Sequence, residues 1–219
     1  MGSIVSEETC AGTRNRELES GSSTFEPPTI VSSACYPFAM MSIPPAELLS
    51  RGHEARSERR LADAKNYFAH AVERCRKAND KILLAQALAG LGQIERDMGN
   101  AALALRHYSD AVELHRAQDD PLLLAHAIRH VADILRDQRQ FAKAAPCYEE
   151  ALALYRKHEQ TKPLDLANAI RGYAHLKADT GDPEEATFLW HEAMALYAEC
   201  DVQAGVVESQ SQIAFLMGR

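Results

Sequence analysis

Ala144-Ala145-Pro146-Cys147-Tyr148-Glu149-Glu150-Ala151 carries a small–aromatic–small triplet, Ala144, Tyr148 and Ala151, that returns three more times along the chain. The others are Ala64, Phe68 and Ala71; Ala104, Tyr108 and Ala111; and Ala186, Trp190 and Ala193. Spacings of four and three place each triplet on one helical face. The first members of successive triplets lie 40, 40 and 42 residues apart, and twelve residues before each stands Gly52, Gly92, Ala132 or Ala174. A fixed period built from two helical segments marks a stacked α-solenoid, because one such unit cannot bury its apolar face alone. The fold class expected is all-α, a right-handed α-solenoid of four helix pairs plus an unpaired last helix.

Working outward, helix starts are marked by Asp120-Pro121, Asp182-Pro183 and Lys162-Pro163, and ends by Gly99-Asn100 and Gly181-Asp182. Proline fits the first helical turn, and an aspartate ahead of it offers a cap acceptor; glycine tolerates the left-handed residue that closes a helix. The predicted helices run over 45–59, 62–78, 82–98, 101–118, 121–138, 141–158, 163–180, 183–200 and 204–217. The first helix of each pair repeats its own code, with Leu84-Ala85-x-Ala87-Leu88, Leu124-Ala125-x-Ala127-Ile128 and Leu166-Ala167-x-Ala169-Ile170. The domain organisation predicted is a disordered or loosely packed tail over 1–43 and a solenoid over 44–219, with repeats at 44–80, 81–120, 121–162 and 163–203 and a last helix at 204–217. The tail is rich in Ser, Thr, Glu and Pro and cannot bury enough apolar surface to offset its ordering entropy.

Composition narrows the partners. The net charge of −7 argues against nucleic acid and anionic membrane, both of which want a basic surface. The five cysteines are widely spaced and never in a Cys-x-x-Cys pair, so no disulfide framework or zinc site is indicated and a cytoplasmic location is expected. No Gly-rich phosphate loop, nucleophile elbow or Cys–His arrangement is present, so no catalysis and no cofactor are expected.

The order small residue, twelve-residue gap, Ala, aromatic, Ala resembles the tetratricopeptide repeat. The longer period and Pro146 early in a second helix are similar to kinesin light chain and to bacterial signalling members of the family. The resemblance implies a non-enzymatic scaffold that binds a partner peptide or helix in its concave groove. The alternative it implies is a peptide- or ligand-sensing regulator acting through a separate output partner. In this family the groove is lined mainly by first helices. Here those positions give His53, Arg56, Gln93, Arg96, His126, Arg129, His130, Asp133, Arg136, Asn168, Arg171 and His175 as a partner-binding set. The residues that clamp the acidic tails of heat-shock chaperones are absent in either register.

Two readings of that set stand side by side. Arg56, Arg96 and Arg136 are equivalent across three repeats, with Asp97, Asp137 and Asp179 as a second column. The arginines are read as receptors for acidic groups of a partner, or as a solvated face with internal pairs such as Arg129 with Asp133. On the first reading, converting Arg129 and Arg136 to Glu weakens partner binding and barely alters stability. His126, His130, Asp133 and Asp137 share one stripe, but no glutamate sits between the histidines in the metalloprotease arrangement and a third ligand would have to come from a neighbouring helix, so no metal is expected. His70, His107, His115, His158 and His191 lie on second helices, and several of them are expected at the surface. Ile213, Ala214, Leu216 and Met217 have no following helix to cover their far side, which makes a homodimer through the last helix an expectation too.

Overall fold

The computed structural model describes residues 42–218. The readings made for 1–41 lie outside the described residues. Nine helices follow one another among these: α1 (Pro45–Ser57), α2 (Leu61–Ala78), α3 (Lys81–Asp97), α4 (Ala101–Arg116), α5 (Pro121–Asp137), α6 (Phe141–Lys157), α7 (Pro163–Asp179), α8 (Pro183–Glu199) and α9 (Gln203–Met217). Each packs on the next, and the first helices α1 and α3, and α5 and α7, also touch. The result is an all-α solenoid of four helix pairs and a final single helix. Every predicted helix is present, with ends displaced by no more than two residues.

The punctuation is local chemistry. Asp80, Asp120 and Asp182 each accept the amide three residues on, at 3.0, 3.0 and 3.2 Å, capping α3, α5 and α8. The turns after α1, α3, α5 and α7 place Arg59, Gly99, Arg139 and Gly181 in the left-handed region, and those after α2, α4 and α8 do the same with Asn79, Asp119 and Asp201. The turn after α6 differs. His158 is extended there, and the Thr161 hydroxyl donates to the Tyr155 carbonyl at 2.7 Å. That longer connection is where the period stretches from 40 to 42.

All four triplets lie in the core with their alanines and aromatics fully buried. Each aromatic is wedged between first helices. An added Cβ on Gly52 or on Gly90 would fall 2.8 or 2.4 Å from the Phe68 ring, and one on Gly172 would fall 2.6 Å from Tyr148. Phe68 therefore fills the gap between α1 and α3, and Tyr148 presses on α7, so the aromatic packs forward as well as backward. At the position equivalent to Gly90 and Gly172 the third repeat has His130, whose ring stacks on Tyr108 at 4.7 Å between centroids. At the amino-terminal end, Ile43 packs on the same core and its carbonyl accepts a hydrogen bond from Arg74. At the other end Ile213 and Leu216 are buried in the core that α8 shares, which corrects the expectation that they lack cover; Ala214, Phe215 and Met217 are exposed.

Candidate functional site

The polar residues of the first helices do converge, and Asp133 is their centre. Its carboxylate is buried and accepts the Tyr148 hydroxyl at 2.7 Å, Arg129 at 3.0 Å and Arg96 at 3.1 Å. Arg129 also places a guanidinium nitrogen 2.7 Å from His130 Nε2, while Arg96 lies 3.1 Å from His130 Nδ1. A neutral imidazole accepts at one nitrogen only. It can therefore accept from only one of the two arginines, and the shorter contact assigns Arg129 as donor to Nε2, leaving Arg96 to donate to Asp133. Burial first, then the two neighbouring arginines and His126, push the His130 pKa well down. His126 sits edge-on to His130 at 4.6 Å, and burial aided by Arg129 lowers its pKa to about 4. The stripe that raised the question of a metal is thus an arginine–carboxylate network around neutral imidazoles. Among the described residues no cluster of metal-ligating side chains occurs.

The arginine columns are paired with carboxylates, mostly across repeats. Arg56 donates to Asp97 at 2.7 Å, and Arg171 grips Glu208 with two bonds of 2.8 and 2.7 Å. Arg136 donates to its neighbour Asp137 at 2.7 Å, and His175 lies 3.4 Å from Glu208 while meeting Trp190 edge-on. Asn168 accepts the Tyr197 hydroxyl at 2.9 Å, and Gln93 accepts that of Tyr108 at 3.1 Å while donating to Asp97. Arg129 Nε and Arg136 Nη1 are buried without a hydrogen-bond partner among the described residues. The expectation that glutamates at 129 and 136 leave stability untouched is therefore corrected. Arg129 is shielded and bonded to a buried carboxylate, so a glutamate there sets two carboxylates against each other.

One part of this face stays open. A cavity of about 310 Å³ lies among α1 to α5, lined by His53, Arg56, Gln86, Gln93 and His126 from first helices and by Phe68, Tyr108 and His115 from second helices. His53 meets the Phe68 ring edge-on at 5.1 Å, and burial lowers its pKa. Of the second-helix histidines, His115 is buried: it is 2% exposed, and burial lowers its pKa as well. The repeat carried the signal, because Cys75, His115, Tyr155 and Tyr197 are spaced like the triplets and all four are buried.

Residues 83–157 match the family model described as tetratricopeptide repeat. No curated protein matches the chain in sequence. Among solved structures, the chain is similar to a Rap protein complexed with competence and sporulation factor, at 20% identity and a TM-score of 0.66, covering 77% of this chain and 47% of that one. It is also similar to BtubC (BKLC) from P. vanneervenii, at 17% identity and a TM-score of 0.60, covering 80% and 82% of the two chains. A kinesin light chain from Podospora anserina with nearly identical TPR-like repeats has 13% identity and a TM-score of 0.64, covering 78% and 84%. At these identities the likeness is one of fold, and the chain spans about half the length of the Rap protein. The family match spans α3 to α6, the second and third helix pairs, and over the rest of the chain the likeness is one of fold.

Proposed function

We propose that this chain is a non-enzymatic scaffold that binds a partner peptide or helix in the groove lined by its first helices. The observation that carries the reading is the open cavity on that face, to which α1, α3 and α5 each contribute polar side chains. Binding sites are concave, mainly apolar and set with a few convergent polar groups, and this one is continuous with the rigid network around Asp133. An acidic partner would have to displace Asp97, Asp133 or Glu208 from the arginines, so recognition is placed on uncharged groups rather than on free cations. Arg56, Arg96 and Arg171 then act as struts that hold neighbouring repeats in register. Among the described residues no helix is long and apolar enough to cross a membrane; a cytoplasmic location is proposed with the scaffold role.

The test is to recover partners by pull-down with mass spectrometry and then titrate the best of them calorimetrically. Replacing His53 and Gln86 with Glu puts charge at the rim of the cavity without breaking any ion pair. The change should weaken the partner by at least about tenfold, or ~1.4 kcal/mol, with the unfolding midpoint nearly unchanged. Undiminished affinity in the folded variant moves the site to the second helices or to residues 1–41. The sensor reading is favoured by one observation, the likeness to a Rap protein solved with a bound factor. It predicts that an effector changes which proteins the chain retains. A homodimer through the exposed Phe215 and Met217 of α9 is the remaining proposal, read directly by sedimentation.

A further inference from the structure

The cavity among the first three helix pairs is chemically selective. Among the described residues its only charged lining group is Arg56, whose guanidinium is already held by Asp97 at 2.7 Å. No described carboxylate lines it, and its three histidines, His53, His115 and His126, are all shifted by burial towards the neutral form. A cation entering would lose hydration without gaining an ionic partner, and an anion would meet only Arg56, which it must share with Asp97. Phe68, Ala89, Gly90 and Leu123 supply apolar wall.

The hydrogen-bonding end of the cavity is equally defined. His115 is almost wholly buried, and its Nδ1 has no partner among the described residues. Buried polar groups are nearly always satisfied, and His115 lines the cavity, so its imidazole is a hydrogen-bonding group of this wall. Gln86 also lines the cavity and bonds no described residue, whereas Gln93 is engaged by Tyr108 and Asp97. The volume of about 310 Å³ lies at the small end of ligand sites, which run from roughly 300 to 1,000 Å³.

We infer that this cavity receives one uncharged side chain of the partner, an apolar body ending in a hydrogen-bonding group, and that His115 and Gln86 read that ending. The assignment to a partner rests on the scaffold reading above; the chemistry of the cavity does not.

The probes are p-cresol, toluene, p-toluate and p-methylbenzylamine, which share one ring and differ only in ending. Each is titrated into the full chain and followed by amide chemical shifts. The expected result is that p-cresol shifts amides around the cavity and binds at least about tenfold more tightly than the anion or the cation. His115→Phe should remove most of that advantage while leaving toluene unchanged. Gln86→Leu, which breaks no hydrogen bond among the described residues, should lower p-cresol affinity even if His115→Phe fails to fold. Equal binding of p-toluate, shifts confined to α9, no saturable binding, or p-cresol affinity unaltered in the folded variants overturns the inference. If p-cresol behaves as described but the recovered partner binds wild type and Gln86→Leu alike, the chemistry of the cavity stands and its assignment to the partner falls.

Discussion

Substitution of Asp133 by Ala removes the carboxylate on which two guanidiniums and one core hydroxyl converge. Asp133 and Arg129 keep only 9% and 12% of their side-chain surfaces exposed, whereas Arg96 keeps 31%. Breaking a buried pair by deleting one partner costs about 3–5 kcal/mol, because the remaining charge is stranded. Arg96 can turn towards solvent and Asp137, which already lies 3.9 Å away, so the lower end, about 3 kcal/mol, applies here. Asp133→Asn keeps an acceptor for Tyr148 and loses only the charge, for an expected cost of about 2 kcal/mol. Asp97→Ala breaks an exposed pair with Arg56 and should cost at most about 1 kcal/mol. Urea unfolding followed by far-ultraviolet circular dichroism orders the three, with midpoint and slope compared together because repeats unfold as coupled neighbours. The double change Arg129→Met with Asp133→Leu removes both charges and should recover much of the loss. Equal costs for Asp133→Ala and Asp97→Ala, or no recovery in the double variant, would refute the assignment of Asp133 as the centre of a shielded network.

The histidines set the acid limit. His126 is charged below pH 6.5 in the unfolded chain but only below about 4 in the folded one, so the unfolded state binds the extra proton and stability falls as pH drops from 6.5 towards 4; at pH 5 the loss from this residue is about 2 kcal/mol. His126→Gln should flatten the profile of unfolding midpoint against pH, and an unaltered profile would show that His126 titrates normally. In the core, Ala111→Leu and Ala151→Leu should each cost about 1–3 kcal/mol by overpacking fully buried positions, while Ala117→Leu at the exposed end of α4 should be close to neutral. Thermal unfolding distinguishes them, and equal effects would mean that the repeat register is wrong. Gly90→Ala should also destabilise, since its Cβ would sit 2.4 Å from the Phe68 ring; an unchanged melting temperature would show that the ring yields freely.

What the sequence determined by itself was everything with a short range or a strict period. Helix ends follow from Asp120 and Asp182 as caps and from Gly99 and Gly181 beyond the last turn, because a cap involves atoms three or four residues apart. The buried triplets follow from their 40- and 42-residue recurrence, because identical units that stack must bury the same face. The groove residues were legible as a set for the same reason, but their roles were not. Arg56 reaches Asp97, Arg96 reaches Asp133, and Arg171 reaches Glu208, at separations of 41, 37 and 37 residues. Pairing at that distance depends on how far each helix pair turns relative to the last, which no local pattern encodes. His115 divides the two: its place in the buried column with Cys75, Tyr155 and Tyr197 is periodic, whereas its place on the wall of a cavity follows only from the stacking of α1 to α5. Tertiary structure thereby decided which charges are spent within the fold and which polar groups remain for a partner.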